Sequence, residues 1–346
     1  MIVVMKRGAT SDMVSNVRRK AAESDNTNKL ETGVFKGDKQ YTVHLKGTEF
    51  DKNLLDDRLS NLEGVDRIIH ISTQYKIASR DFGENKVEVS RGDTSVLFNG
   101  NTVTAAGPCT IESEEQMKRA AESLSELGVK ILRGGAFKPR SSPYDFQGLG
   151  EKGLKIARKV ADQFGMLFVT EAMSPEHVPE IAEYADIIQI GTRNMQNYFL
   201  LKAAGKTNKP VMLKRGFSAT LDEFLLSAEY ILCEQDKPRV ILCLRGIRSF
   251  ESDTRNTLDI GAILSLREKT WLPIFFDPSH ASGNKGQVKC LSQMALIAGY
   301  NGIIIESHPC PGDALCDGKQ SLTLKEFGQI YQEIVDLAQK TGRNFV

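Results

Sequence analysis

The stretch from residue 102 to residue 341 repeats one pattern, in which a short apolar run precedes a segment with helical periodicity. The hydrophobicity of each run is nearly continuous rather than alternating, which is typical of parallel strands buried on both faces. The runs cover residues 102–107, 130–133, 166–171, 186–191, 210–214, 239–245, 272–277 and 302–306. The sequence therefore predicts eight parallel strands.

The segments between these runs carry apolar residues at helical spacing. One apolar stripe along a helix consists of Leu221, Phe224, Leu225, Ala228, Ile231 and Leu232. Eight strand–helix units over about 240 residues match a closed (β/α)8 TIM barrel, an α/β fold, in size and number. An open doubly wound sheet is the alternative, but neither GxGxxG nor GxxxxGK[ST] comes directly after any run, as a nucleotide-binding turn of that fold would require.

The N-terminal segment follows a different order, βαββαβ, which indicates a small ferredoxin-like domain. Its elements are predicted at Ile2–Lys6, Ser11–Glu23, Leu30–Phe35, Gln40–Leu45, Asp51–Leu62 and Val65–Ile71. We expect this domain to span residues 1–72, a linker residues 73–93 and the barrel residues 94–346. Residues 96–98 before the turn residues 99–101 predict a small hairpin under the barrel.

Composition excludes several classes of protein. The 346 residues include 40% hydrophobic and 26% charged residues, as in folded globular domains, and the formal net charge of +1 argues against nucleic acid as a partner. The apolar start is cut off by Lys6, so it is shorter than the roughly 7–15 residues of a signal peptide or the about 20 of a membrane helix. We therefore expect a cytoplasmic protein that makes no membrane contact.

The cysteines have no paired spacing and are interpreted as reduced thiols.

Positively charged residues follow several of the predicted strands. Active sites of such barrels lie where the strands end, so these side chains are expected to share one rim. Their convergence would be repulsive unless an anion filled the space, and arginine suits carboxylate and phosphate oxygens. Taken one at a time, each is more readily interpreted as a solvated surface charge, and it is their shared location just after strands that favours a common site. The residues are Arg133, Lys138, Arg140, Arg193, Lys214 and Arg245.

A second set of residues offers metal ligands: Cys109, His280, Glu306 and Asp317. Three of them fall at strand ends, and a thiol, an imidazole and carboxylates suit Mn²⁺, Fe²⁺, Co²⁺ or Zn²⁺ better than Mg²⁺ or Ca²⁺. The alternative is that the cysteine packs as a small apolar residue and the histidine is a hydrogen-bonded loop residue. Cys310 and Cys316 are interpreted as loop thiols beside this region.

With these residues in view, the chain resembles the 3-deoxy-D-arabino-heptulosonate 7-phosphate (DAHP) synthases, in the form that carries a ferredoxin-like domain ahead of the barrel. The resemblance rests on motifs that occur in the family's order along the whole barrel. They are AAGPCTIES (105–113), ILRGGAFKPRSSPYDFQGLG (131–150), VTEAM (169–173), IQIGTRNMQN (188–197), LKRG (213–216), LRGIRSF (244–250), DPSHASG (277–283), IIESHP (304–309) and CDGKQSL (316–322).

The resemblance implies an aldol-like condensation of phosphoenolpyruvate with erythrose 4-phosphate and water, with release of phosphate. It implies one divalent metal ion and no organic cofactor, held by Cys109, His280, Glu306 and Asp317. The phosphoenolpyruvate site would comprise Arg133, Lys138, Arg193, Lys214 and Arg245. The aldose phosphate site would comprise Lys138, Pro139, Arg140 and Ser141. Lys138, Glu171 and His280 are the expected catalytic residues, with Glu171 holding the reacting water.

Two rival interpretations remain. The first is a related barrel enzyme, 3-deoxy-D-manno-octulosonate 8-phosphate synthase, which uses arabinose 5-phosphate. That family tends to have Ala-Asn-Arg-Ser after the lysine, whereas in this sequence Pro139-Arg140-Ser141-Ser142 follows Lys138. The rival of another class is an allosteric sensor, in which residues 1–72 bind an aromatic amino acid or another pathway product. We also expect a homo-oligomer, a dimer or a tetramer, and the N-terminal domain could serve only to assemble it.

Overall fold

A computed structural model describes residues 1–24, 30–36, 40–47, 51–70, 73–82, 86–98, 101–140 and 142–345. The chain divides into two compact units, Met1–Phe82 and Gly83–Val346.

The first unit is a four-stranded antiparallel sheet with two helices. In this sheet the first strand of the chain lies between the third and the fourth, and the second lies at the edge beside the third; this arrangement and the order βαββαβ along the chain confirm the ferredoxin-like prediction. Val3 and Val43, paired across the sheet, are buried with Val17 of the first helix. The second helix begins after its cap Asp51 and ends at Leu59, earlier than predicted. The elements are β1 (Ile2–Met5), α1 (Ser11–Glu23), β2 (Glu31–Lys36), β3 (Tyr41–Lys46), α2 (Lys52–Leu59) and β4 (Val65–Ile69).

A two-stranded antiparallel hairpin opens the second unit, formed by β5 (Glu88–Arg91) and β6 (Thr94–Leu97). Its turn lies at Gly92 and Asp93; of the residues 99–101 where the sequence pattern predicted a turn, 99 and 100 lie outside the described residues. Gly92 has a positive φ of 54°, which favours glycine in such a turn. The hairpin therefore uses residues that the sequence had marked as linker. Phe98, which follows it, packs its ring 5.5 Å from that of Phe275 in the barrel.

Eight parallel strands close into a barrel, because the last of them pairs with the first. The strands are β7 (Val103–Gly107), β8 (Ile131–Arg133), β9 (Leu167–Ala172), β10 (Ile187–Ile190), β11 (Val211–Lys214), β12 (Val240–Leu244), β13 (Ile274–Phe276) and β14 (Gly302–His308). Each corresponds to one predicted apolar run, which confirms the (β/α)8 prediction. A short strand β15 (Leu322–Thr323) extends the sheet beside β14.

Helices connect the strands around the outside of the barrel. One of them, Leu221–Leu232, begins with a complete capping box, in which the Thr220 hydroxyl accepts from the Glu223 backbone N–H and the Glu223 carboxylate accepts from the Thr220 backbone N–H. The helices are α3 (Glu114–Glu126), α4 (Glu151–Gln163), α5 (Val178–Tyr184), α6 (Tyr198–Lys206), α7 (Leu221–Leu232), α8 (Gly261–Lys269), α9 (Pro278–Ser282), α10 (Val288–Ala298) and α11 (Leu324–Lys340). Within the described ranges, no helix combines the length and the apolar character needed to cross a membrane.

Candidate active site

A cleft of about 210 Å³ opens at the carboxyl ends of the barrel strands. Ten of the residues predicted for the site line it: Arg133, Lys138, Pro139, Arg140, Glu171, Arg193, Lys214, Arg245, His280 and Asp317. Cys109 and Glu306 are buried next to these residues. Ser141 lies outside the described residues. The barrel closure thus brings residues far apart in the chain to one rim, as expected of this fold.

The cleft carries an excess of positive charge. Seven arginine and lysine side chains line it against three carboxylates, those of Asp145, Glu171 and Asp317. One buried guanidinium nitrogen, Nη1 of Arg245, has no hydrogen-bond partner among the described residues. Burial lowers the pKa of Arg245 to about 10, so the group stays charged at neutral pH. A buried, charged and unpaired donor is costly, and an anionic ligand would satisfy it.

A single aromatic ring contacts three arginine side chains at the cleft. The guanidinium carbons of Arg193, Arg245 and Arg248 lie 5.7, 4.9 and 4.6 Å from the ring centre of Phe217. Contact with the ring face attracts each cation, which keeps like charges near one another at fixed positions. The sequence alone gave no reason to place Phe217 in the site.

The predicted metal ligands form one contiguous cluster. Cys109 Sγ lies 3.1 Å from Asp317 Oδ2, and His280 Nε2 lies 3.4 Å from Glu306 Oε1. Two triads within it have ligand atoms all within 4.8 Å of one another, and Asp317 belongs to both. One triad is Cys109, Cys316 and Asp317, and the other is His280, Glu306 and Asp317. Cys316 was not among the ligands predicted from the sequence.

Asp277 orients the imidazole of this cluster. Its carboxylate accepts from Nδ1 of His280 at 2.8 Å and from the His280 backbone N–H at 2.9 Å, and it also binds Lys214 Nζ. Burial raises the pKa of Asp277, but His280 and Lys214 outweigh it and hold that pKa well below its usual range. Burial also lowers the pKa of His280, which favours the neutral ring. The proton is therefore assigned to Nδ1, and the Nε2 lone pair is left for a ligand.

Glu306 is fully buried and ionised. Burial raises its pKa, but His280, Arg133 and Lys138 together lower it to about 2. Arg133 Nη1 donates to Glu306 Oε1 at 3.0 Å. This carboxylate therefore keeps its charge across the physiological range and can act as a ligand.

The two thiols of the cluster share a hydrogen bond, with Sγ atoms 3.7 Å apart. That bond and burial raise the pKa of Cys109, and the same bond lowers the pKa of Cys316, which also contacts Arg140. The ammonium of Lys138 lies 2.7 Å from Cys109 Sγ and 3.5 Å from Asp317 Oδ2. A positive charge is thus already attracted into the donor set. The thiol, the imidazole and the two carboxylates of the predicted ligand set fit a divalent transition metal ion. Binding of that ion would displace the thiol proton.

Glu171, which also lines the cleft, is positioned by Gln189 on β10 and by Gly191, which directly follows that strand. Gln189 Nε2 donates to Glu171 Oε2 at 3.2 Å. A Cβ atom at Gly191 would lie 1.9 Å from Glu171 Oε1, so only glycine leaves room for this carboxylate. The sequence predicted Glu171 but gave no signal for these two supporting residues.

Gly191→Ala is expected to displace the Glu171 side chain without unfolding the barrel, because the backbone of Gly191 is in an ordinary extended conformation. If Glu171 holds the reacting water, turnover should fall by about 100-fold with an unchanged melting temperature. Steady-state kinetics and thermal denaturation measure the two effects. Gly312→Ala is the control, because a Cβ there meets nothing within 4 Å. Full activity of Gly191→Ala would remove Glu171 from the mechanism.

Comparison with known proteins gives two family matches. A model described as the DAHP synthetase I family matches residues 86–342, and a model described as the DAHP synthase ferredoxin-like domain matches residues 1–73. The chain belongs to the DAHP synthetase I family. The resemblance in the sequence motifs is thereby confirmed.

Two matches from Thermotoga maritima cover nearly the whole chain, and a third relative covers about two thirds of it. The phospho-2-dehydro-3-deoxyheptonate aldolase of Thermotoga maritima is 48% identical over 342 residues, which are 99% of each chain. A crystal structure of the Thermotoga maritima DAHP synthase superposes with a TM-score of 0.76 at 46% identity, covering 100% of this chain and 99% of the other. A 2-dehydro-3-deoxyphosphooctonate aldolase of Syntrophotalea carbinolica is 33% identical over 69% of this chain and 92% of its own length.

Proposed function

We propose that this chain condenses phosphoenolpyruvate with erythrose 4-phosphate and water to give DAHP and inorganic phosphate, the first step of aromatic amino-acid biosynthesis. The observation that carries this proposal is the 48% identity to the Thermotoga maritima aldolase over 99% of both chains. The cationic cleft beside a donor cluster supports it, because both organic substrates are anions that repel one another.

The proposed phosphoenolpyruvate site uses Arg133, Lys138, Arg193, Lys214 and Arg245. Their charges neutralise the carboxylate and the phosphate, and the fixed arginines around Phe217 hold the substrate in one orientation. Lys138, Pro139, Arg140 and Ser141 form the proposed aldose phosphate site. There Asp145 holds Arg140 through Nε and Nη2 at 3.2 and 3.1 Å. Lys138 lies between the two sites and serves both substrates.

In the proposed reaction, C3 of phosphoenolpyruvate bonds to the aldehyde carbon of erythrose 4-phosphate, and the aldehyde oxygen takes a proton. Positive charge develops at C2, where the oxygen of a water held by Glu171 adds. The resulting hemiketal phosphate then loses inorganic phosphate. A divalent metal ion, held by Cys109, His280, Glu306 and Asp317, would supply Lewis-acid polarisation of the aldehyde or orient a water. The metal dependence and these residue roles are part of the proposal.

Arabinose 5-phosphate is the competing aldose, because octulosonate aldolases also match the barrel. The test is to offer phosphoenolpyruvate with each aldose and to follow the loss of its ultraviolet absorbance. We expect faster consumption and release of phosphate with erythrose 4-phosphate. Faster consumption with arabinose 5-phosphate would overturn the assignment.

We further propose that residues 1–72 bind an aromatic amino acid or a later pathway product and regulate the barrel. The separate buried core of this domain supports an independent binding unit. Regulation requires that the effector bind two states with different affinity. Unchanged kinetics with tyrosine, phenylalanine, tryptophan, chorismate and prephenate would contradict it and favour an oligomer-forming role.

Phe217→Leu should raise the KM for phosphoenolpyruvate about tenfold, because each arginine–ring contact is worth roughly 0.5–1 kcal/mol and two of the arginines contacting this ring are proposed ligands. The turnover number should change less, since no reacting atom is touched. Phe199→Leu is the control, because Phe199 is 83% exposed on α6. An unchanged KM would show that the ring does not position the arginines.

A further inference from the structure

A buried glutamine contacts the carboxylate at the centre of the proposed metal site. Gln320 ends the short turn that follows Asp317 and is only 4% exposed. Its Nε2 donates to Glu306 Oε2 at 2.5 Å, while Glu306 Oε1 faces Arg133 and His280 Nε2. The two oxygens of Glu306 therefore have different neighbours, and Gln320 is hydrogen-bonded to one of them.

The orientation of this amide is determined by an arginine on another loop. Gln320 Oε1 accepts from Arg255 Nη1 at 2.6 Å. An arginine can only donate hydrogen bonds, so the amide oxygen must face Arg255 and the amide N–H must face Glu306. If the amide turned over, its oxygen would meet the ionised carboxylate, which is repulsive. Arg255 thus selects the orientation that suits Glu306.

Arg255 itself is held in place although it lies at the rim of the cleft. Its backbone N–H donates to Ser282 O at 3.3 Å, and its side chain crosses Gly283. A Cβ atom at Gly283 would lie 2.9 Å from Arg255 Cδ, and Gly283 has a φ of 69°, in the left-handed region that favours glycine. The chain of contacts therefore runs from the loop after β12, through Gln320, to Glu306 on β14.

We propose that Gln320, oriented by Arg255, is a positioning residue that fixes the Glu306 carboxylate for metal binding. The inference rests on the proposed function, because it assigns Glu306 to the metal site. Outer partners that orient a ligating carboxylate contribute to metal affinity without touching the metal.

The expected effect of removing Arg255 on Mn²⁺ affinity depends on whether the arginine acts through its charge or through Gln320. Removing a positive charge near a cation site should tighten binding of Mn²⁺ through weaker repulsion. If Arg255 acts by orienting Gln320, its removal should instead weaken binding. The sign of the change in Mn²⁺ affinity therefore separates the two explanations.

The test strips the full chain with a chelator and titrates it with Mn²⁺, following free Mn²⁺ by electron paramagnetic resonance. Gln320→Met keeps the length of the side chain and should raise the Kd about 10- to 100-fold. Arg255→Met should raise it by a smaller factor. The double variant should match Gln320→Met alone, because Arg255 acts only through Gln320. Lys319→Met removes a charge from the exposed neighbouring residue and should not raise the Kd.

An unchanged or lower Kd in Arg255→Met, an unchanged Kd in Gln320→Met, or additive effects in the double variant would overturn the inference. Arg255 is exposed, so its variant is expected to fold even if the buried Gln320 does not tolerate substitution. If the unsubstituted chain bound no Mn²⁺ while still consuming both substrates, that result would contradict the proposed metal site and, with it, this inference. Failure of the proposed condensation reaction is a separate outcome, because the two-aldose assay detects it without reference to metal affinity.

Discussion

Cys109→Ala should abolish metal-dependent turnover while the barrel stays folded. The side chain contacts Asp317 and Lys138 in the donor cluster and is the only proposed sulfur ligand. Loss of a direct ligand should cost more than the roughly 10- to 100-fold that follows loss of an outer partner. The measurements are turnover with added Mn²⁺ and the metal content of the purified variant.

The matched control for this variant is Cys290→Ala, because Cys290 is an exposed cysteine on α10. It should retain both metal and activity. Full activity of Cys109→Ala, or of the unsubstituted enzyme in excess chelator, would contradict the metal role of this residue.

Lys138→Ala should impair the use of both substrates, because the ammonium lies between their proposed sites. Burial lowers the pKa of Lys138, but Cys109, Glu306, Cys316 and Asp317 outweigh it and raise the pKa well above its usual range, so the group is always charged. Removing a donor of this kind typically costs about 100- to 1000-fold in turnover. Steady-state kinetics with each substrate varied in turn measure the effect.

Lys159→Ala serves as the control for that substitution, because Lys159 is exposed on α4 and pairs with Glu114 away from the cleft. Its kinetics should match those of the unsubstituted chain. If Lys138→Ala changed only the melting temperature, the lysine would be a packing residue rather than a substrate ligand.

The barrel could be predicted from sequence because its strands are buried on both faces. The run 302–306, for example, is apolar up to its last residue, Glu306, and eight such runs are compatible with few folds. The hairpin formed by β5 and β6 was not predicted, for the converse reason. Its strands β5 and β6 are short and each has only one buried residue, so their pattern resembles that of a loop. The shortened end of α2 is the ordinary uncertainty of a helix terminus.

The convergence of the candidate site residues could be predicted because most of them lie at or shortly after a strand end. Arg133, Lys214 and Glu306 lie on the strands themselves, so barrel closure places them at one rim. The supporting residues could not be predicted in this way. Phe217 and Gln320 lie in a loop and a short turn, where contacts depend on side-chain conformations that no periodicity encodes.

Asp277 is the supporting residue for which the sequence did carry a signal. It precedes Pro278 and lies three residues before His280, the spacing of a helix cap followed by proline at the first turn. A carboxylate there can reach both the backbone and the ring of the histidine, as it does. Cys316 had no such signal, because the positive φ of 53° at Asp317 turns the chain in a way that its residue type does not require.

The most direct test of the proposed site is a crystal structure of the protein with Mn²⁺ and phosphoenolpyruvate. The anomalous signal of manganese should lie among Cys109, His280, Glu306 and Asp317. The substrate phosphate should contact Arg193, Lys214 or Arg245 in the same cleft. Manganese bound elsewhere, or phosphoenolpyruvate outside the cleft, would contradict the proposed site.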